Sequence, residues 1–377
     1  MQKSNTIQMF PEEQIYSIAL SLCDGIGHVG AKRLVDAMGS ATDVFAHRQE
    51  IASLVPEIRA SQIEALNNVK LVHRAKEELV FARQHGIRCL TLTDEAYPSR
   101  LRECDDAPVV LFFKGEADLN KLRVVAMVGT RNITEYGKDF CTKFVRELAA
   151  LCPDVLIVSG LAYGVDIHSH REAMNNRLCT VAVLAHGLDR IYPYVHRHEA
   201  EQMQENGGLL TEFLTDTNPD RQNFVQRNRI VAGMSDAVVV VESAAKGGSL
   251  ITAGLANDYN RECFAVPGRI NDPYSIGCNQ LIIQNKATLL QSAEELVKAM
   301  GWKETRQKPK HVQRDLFPDF TEEEEKVVNL LAQRGDLNIN TLVVSSGIPI
   351  NRMSNLLFEL EIKGVIRLLA GGSYHLM

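Results

Sequence analysis

Excess positive charge is missing from this chain: 41 Lys and Arg stand against 47 Asp and Glu, a formal net charge of −6. A strongly basic chain would bind polyanions indiscriminately. Here any polyanion site has to be a local basic patch on an acidic body. Paired cysteines are missing too. None of Cys23, Cys89, Cys104, Cys141, Cys152, Cys179, Cys263 and Cys278 forms a Cys-x-x-Cys pair, which argues against a zinc ribbon. No other ligand set is evident, so neither a metal nor a cofactor is expected. Several of these cysteines lie in apolar helix or strand patterns, where a buried thiol is the simplest reading. Met1–Pro11 is polar and lacks the apolar core of a signal peptide, and no stretch approaches membrane length. A reducing cytoplasm is the expected compartment. Tandem repeats and low-complexity tracts are absent as well.

What remains is a 377-residue chain, 45% hydrophobic and 23% charged, an ordinary globular composition and long enough for two or three domains. Its most informative feature is a set of short β-branched runs in the middle. Val124–Val128 leads into Gly129-Thr130-Arg131, and Val155–Val158 into Ser159-Gly160-Leu161-Ala162-Tyr163-Gly164-Val165-Asp166. Thr180–Leu184 leads into Ala185-His186-Gly187, and Ala237–Val241 into Glu242 and then Gly247-Gly248-Ser249. Such runs, spaced by helix-length segments, predict buried parallel strands, with helices at Gly137–Leu151, Ile167–Asn175, Asn223–Met234 and Ser249–Asn260. Ligands of such a sheet sit outside the carboxyl ends of its strands, and exposed N–H groups, hydroxyls and arginine suit phosphate there.

The flanks differ in character. Glu12 to about Val80 reads as helices, with Asp24-Gly25-Ile26-Gly27-His28-Val29-Gly30-Ala31 as the turn of a helix-hairpin-helix. That turn either grips a phosphate through the next helix's free N–H groups or only packs against its neighbours. Ile87–Leu92 and Val109–Phe113 are two further strands at the front of the central domain. After a polar, basic linker comes a small domain. Thr321 and Glu324 form a capping box, with further helices near Ile339–Ser345 and Asn351–Lys363 and a hairpin of Val365–Leu369 and Ser373–Leu376 around Gly371-Gly372. This reads as a winged helix. Its third helix mixes Arg352 and Lys363 with Glu359 and Glu361, so a protein-contact or structural role is favoured over DNA reading. The expected fold is an extended Rossmann-like, doubly wound α/β sheet. The expected domains are a helix-hairpin-helix (SAM-like) domain at 1–81, the α/β domain at 82–302, a linker at 303–315 and a winged helix at 316–377.

The strand ends carry the chemistry. The first lacks the Gly-x-Gly-x-x-Gly fingerprint of dinucleotide binders. Arg131 there either receives a phosphate or pairs with a carboxylate. Asp166 is suited to cap its helix, and His170 lies on the same helical face. The pair is read as a buried hydrogen bond fixing the loop rather than as a catalytic or metal-binding pair. Arg221, Arg227 and Arg229 cluster around Phe224. Arg227 and Arg229 cannot share one helical face, so at least one is expected to turn inward to buttress the strand-end loops, the other being able to reach a phosphate. Phe224 either stacks on a base or belongs to the core. Arg190 precedes Ile191-Tyr192-Pro193. Glu242 is read as pairing with an arginine rather than as a base.

In order and spacing these segments resemble the DprA/Smf family, the DNA-processing proteins of bacterial natural transformation. The match includes Val128–Arg131, Ser159–Ala162, Gly164-Val165-Asp166 with His170, Ala182–Leu184 with Gly187-Leu188 and Tyr192-Pro193, and Arg227–Gly233. It continues through Ser235-Asp236, Gly248–Ala253, Val266-Pro267-Gly268 and Gly277–Ile282. The resemblance implies single-stranded DNA held along the strand-end pocket, delivery of the recombinase RecA to that strand, and a homodimer formed through the α/β domain. It carries Arg131, Ser159, Gly160, Arg221, Phe224, Arg227, Asn228, Gly248 and Ser249 into the pocket. The strand-end reading adds Gly129, Gly164, Arg229 and Gly247. Two positions depart from the pattern: Tyr163 stands where members often have arginine, and Gly247 where serine is usual. No catalytic residue is assigned. The competing readings are a nucleotide phosphoribohydrolase acting on nucleoside monophosphates, to which the α/β segment is more distantly similar, and an adaptor whose outer domains do the work. Lys246–Thr252 lacks the proline and third glycine of the hydrolase loop.

Overall fold

The computed structural model describes residues 10–55, 58–302, 320–369 and 372–377. The expected linker at 303–315 and Gly371 of the terminal turn lie outside them. The chain divides into two units, Met1–Arg306 and Gln307–Met377.

In the first unit nine strands form one sheet: β1 (Arg88–Thr91), β2 (Val110–Gly115), β3 (Val124–Val128), β4 (Leu156–Ser159), β5 (Cys179–Val183), β6 (Gly208–Thr211), β7 (Ala237–Val240), β8 (Glu262–Ala265) and β9 (Thr288–Leu289). Their order is β1-β2-β6-β5-β4-β3-β7-β8-β9. From β6 through β3 to β9 every neighbouring pair is parallel, whereas β2 runs antiparallel to β6 and β1 antiparallel to β2. The four expected central strands are present, and β6, β8 and β9 are additions. From β3 the chain builds outward through β4, β5 and β6, then returns to the other side of β3 with β7, β8 and β9. That reversal leaves a crevice at the carboxyl ends of β3, β4 and β7.

The residues of β3 alternate between two cores, as the two-residue period of a strand requires. Val124, Ala126 and Val128 join one core. Val125 and Met127 join the other, with Phe140, Phe144 and Leu148 of the helix Glu135–Leu151. The first core also takes Ile230 and Val231 of the helix Arg221–Gly233, Ala253 and Ala256 of the helix Gly248–Asp258, and Leu34, Leu79 and Ala82 from the helical front. The front is helical as expected, running from Glu12–Ser21 to Val69–Gln84. Its helices pack on one another around Ile18, Leu34, Val44 and Phe45, and this apolar core continues into that of the sheet layer.

The second unit is a winged helix: helices Glu322–Arg334, Ile339–Ser346 and Ile350–Ile362, with β10 (Leu337–Asn338), β11 (Ile366–Leu368) and β12 (Ser373–Leu376) in the order β10-β12-β11. The Thr321–Glu324 capping box is formed. Val327, Leu331, Leu342, Met353 and Leu360 fill the core. Among the described residues no helix is long and apolar enough to cross a membrane.

Candidate nucleic-acid interface

The crevice at the strand reversal is a cleft of about 590 Å³, walled by the turns after β3 and β4, the loop after β7 and the helices Arg221–Gly233 and Gly248–Asp258. Gly129, Arg131, Gly160, Arg221, Phe224, Arg227, Asn228, Gly247, Gly248 and Ser249 all line it. Ser159, Gly164 and Arg229 stand behind the wall. Ser159 is fully buried and donates its hydroxyl hydrogen to the Met127 carbonyl at 2.6 Å. Gly164 has a φ of +76°, and a Cβ there would strike the Thr130 carbonyl, so its work is to let two turns approach. Arg229 is buried in an ion pair with Glu212 and also donates to the Asp106 carbonyl.

The close approach of backbones is what makes the floor. Thr130 N–H donates to the Glu242 carbonyl at 2.8 Å and Val165 N–H to the Thr130 carbonyl at 3.1 Å, tying the turns after β3, β4 and β7 together. At Gly160 a Cβ would collide with the Arg227 guanidinium and the Asp166 carboxylate, so only glycine lets those groups pass beneath the turn. Arg227 is 5% exposed, donates to the Val183 carbonyl at 2.6 Å, and faces Asp166. Its Nε has no hydrogen-bond partner among the described residues. Burial raises the Asp166 pKa, with Arg227 pulling the other way. Asp166 does not cap its helix. Gly164 holds the cap position, and Asp166 sits inside the first turn, accepting from Ala162 N–H at 3.4 Å.

Arg131 is exposed, and its guanidinium lies over the Phe224 ring, 5.0 Å from the centroid. Arg227 approaches the same ring at 6.0 Å, and the Tyr192 ring stands 6.0 Å away. Phe224 is thus a wall residue with cations beside it, not a core residue. The helix that carries it starts at Arg221, where Asp220 caps the Asn223 N–H at 2.9 Å. Both Arg227 and Arg229 turn inward, and of the two Arg227 also lines the cleft. The exposed cations of the crevice are Arg131, Arg221 and Lys246. Lys246 and Thr130, also on the wall, were not singled out from sequence, although each adjoins residues that were.

Two expected pairings are replaced by others. His170 does not bond Asp166: its Nε2 meets the Gly160 carbonyl and its Nδ1 the Thr180 hydroxyl at 2.6 Å. Nε2 donates to the carbonyl; a neutral ring then accepts at Nδ1, which takes the Thr180 hydroxyl hydrogen away from the Ile157 carbonyl 3.0 Å from it, and burial lowers the ring's pKa to about 4. Among the described residues Glu242 pairs with no arginine. It accepts from Thr134 N–H at 2.9 Å and Thr134 Oγ1–H at 2.5 Å, beneath the helix that Thr134 caps. Burial raises its pKa, and those bonds oppose the rise. Among the described residues no group of three or more His, Cys, Asp or Glu side chains could hold a metal ion.

Fold and site together define a doubly wound α/β protein with an arginine- and glycine-lined cleft at its topological switch point, followed by a winged helix. Residues 88–301 match the family described as DNA recombination-mediator protein A, and residues 311–372 match the DprA winged helix domain. The chain is 40% identical over 215 residues to DNA processing protein DprA of Bacillus subtilis, covering 57% of this chain and 71% of that protein. It is 34% identical over 301 residues to protein Smf of Synechocystis, covering 78% of this chain and 74% of the relative. The X-ray structure of DNA processing protein A from Streptococcus pneumoniae superposes with a TM-score of 0.60 at 28% identity, over 77% of this chain and 98% of that one. DNA processing protein A from Helicobacter pylori, whose structure is described for its single-stranded DNA binding mode, superposes with a TM-score of 0.51 at 30% identity, over 57% of this chain and 95% of that one. The chain belongs to the DprA/Smf family.

Proposed function

We propose that this protein binds single-stranded DNA along the switch-point cleft, protects the strand as it enters during transformation, and delivers RecA to it in the cytoplasm, acting as a mediator and not as a catalyst. The observation that carries the reading is Phe224 flanked by Arg131 and Arg227 beside three glycine-rich turns. Guanidinium and backbone N–H groups suit consecutive phosphates, and a phenyl face suits an unpaired base. Ser159, Gly164 and Arg229 then serve by shaping the wall. The hydrolase reading loses its base, because Glu242 is taken up by Thr134 and does not line the cleft.

Arg131→Ala is expected to weaken oligo-dT binding about ten-fold and to lower the salt slope by about one, one phosphate contact being lost. Phe224→Ala should cost ~1–3 kcal/mol with an unchanged slope. Equal affinity and slope in both variants, with folding intact, would remove the cleft from the function. Delivery of RecA and homodimerisation rest on the family. Ile270 and Ile283, 83% and 79% exposed on the β8–β9 side of the sheet, suit burial against a second copy. The full chain should capture RecA on strand-coated beads and sediment as a dimer; failure of either measurement disposes of the corresponding proposal. The winged helix supports a protein contact. Arg352 and Lys363 are engaged by Glu323 and Glu324 at 2.8 and 2.6 Å, while Phe358 and Ile362 of the same helix are 64% and 71% exposed.

A further inference from the structure

Three tyrosines stand out at the mouth of the cleft. Tyr163, Tyr192 and Tyr194 are 50%, 45% and 71% exposed, an unusual way to spend aromatic surface in a chain that buries Tyr97 completely. They lie on two turns that are fastened together. Tyr163 belongs to the loop after β4, next to Ala162 of the cleft wall. Tyr192 and Tyr194 precede His196, which is buried, lies edge-on to the Tyr163 ring at 5.0 Å, and donates from Nδ1 to the Leu161 carbonyl at 2.8 Å. The group is continuous with the cleft, because the Tyr192 ring stands 6.0 Å from Phe224.

We infer that Tyr163, Tyr192 and Tyr194 form a second tract that stacks the unpaired bases of a single strand leaving the cleft. The inference rests on the reading of the cleft as a single-strand site and extends it beyond Phe224. The occupant is argued from charge as well as from continuity. The cations beside the tyrosines are already engaged: Arg190 bonds Asp189 and Asn218 at about 2.9 Å, and Arg197 bonds Glu201 at 2.7 Å and the Tyr194 hydroxyl at 3.1 Å. The tract therefore offers aromatic faces whose neighbouring cations are already paired, Arg197 lying over the Tyr194 ring 5.9 Å from its centroid. It is suited to nucleobases, while the phosphates stay with Arg131, Arg221 and Lys246 in the cleft. Stacking accepts any base, because every base has a π-face. It also leaves counterions where they are, so its contribution to binding is insensitive to salt, unlike that of the cleft.

The test uses the full chain and oligo-dT of about six and about twenty nucleotides, short enough to fill the cleft alone and long enough to pass it. The variants are Tyr163→Ala with Tyr194→Ala, and the conservative pair Tyr163→Phe with Tyr194→Phe; Tyr192 is kept because it touches Phe224. The alanine pair is expected to bind the long oligomer roughly ten-fold more weakly, by the same factor at low and high salt, and the phenylalanine pair as tightly as the unaltered chain. A long oligomer carrying abasic sites beyond the cleft should show no difference among the three proteins. Unchanged binding of the long oligomer by the alanine pair would overturn the tract and leave these tyrosines to a protein partner. A loss that disappears at high salt would overturn stacking as its cause. If the unaltered chain binds neither oligomer, the cleft reading itself falls.

Discussion

At the scale of single residues the cleft depends on groups that never touch its contents. His170 is fully buried and fastens the Gly160 carbonyl, so the turn that lets Arg227 pass is held from beneath. Burial lowers the His170 pKa from its ordinary 6.5 to about 4. Between these values the unfolded chain takes up a proton on this ring and the folded chain does not. Stability therefore falls as pH drops from 6.5 to 4, by about 3 kcal/mol at the ordinary ~1.4 kcal/mol per pH unit. Asp166, Glu212 and Glu242, whose pKa values burial raises, work in the opposite sense, so a variant has to isolate the histidine. In urea titrations, the stability gap between the unaltered chain and His170→Gln should be widest above pH 6.5 and narrow by about that amount at pH 4. A constant gap would mean that the native ring is already charged. The partner of Glu242 could not be read from sequence because Thr134 lies 108 residues away, and those of His170, ten residues to either side, depend on how β4, the helix Val165–Asn175 and β5 pack together.

At the scale of elements, the helical hairpin and the cleft are joined through one buried carboxylate. Gly27 ends the hairpin turn and His28 starts the helix His28–Met38, where Nδ1 faces Glu212 at 3.5 Å and Nε2 accepts from Gln226 at 2.7 Å. Gln226 lies between Phe224 and Arg227 on the helix that walls the cleft, and Arg229 of the same helix pairs with Glu212. The hairpin turn thus packs against the cleft helix. Glu212→Ala would strand Arg229 in a buried site, and a loss of about 3–5 kcal/mol in urea unfolding is expected. A loss below about 1 kcal/mol would show that water or a rotamer change relieves the arginine. How far elements were legible follows from the same physics. β3, β4, β5 and β7 are β-branched runs and were readable. β6 and β8 are as long as β4 and β7 but carry few β-branched residues, and β9 has only two residues, so propensity alone had little to register. The front strands were readable as strands, but their antiparallel attachment at β6 depends on long-range pairing. Most of the cleft was legible because loops at strand ends are consecutive in sequence. The inward turn of both Arg227 and Arg229 was not, because it depends on Asp166 and Glu212 from other segments.

At the scale of the molecule, the two units have separate cores, one built around the nine-stranded sheet and one around Val327, Leu331 and Leu360. Small cores with short helices and a three-stranded sheet hold less apolar area per residue than large ones. Calorimetry of the full chain is therefore expected to resolve two transitions, the smaller at lower temperature, and a chain ending at residue 302 should keep only the larger. A single cooperative transition in the full chain would show that the units unfold together. The net charge of −6 bears on this scale as well: the cleft's cations stand out against an acidic body, which steers a polyanion to one place and away from the rest.

The burial of every cysteine makes the chain its own reporter. All eight thiols are buried, from Cys23 in the front helices to Cys278 behind the cleft, and all lie in the first unit. Thiolate is the reactive form, and burial lifts the thiol pKa values at Cys23, Cys141, Cys263 and Cys278 to between about 11 and about 12. An alkylating reagent can then mark a cysteine only during the moments when the structure around it opens. The order in which the eight sites become labelled would map which parts of the sheet and its helical front breathe first, with the winged helix silent throughout.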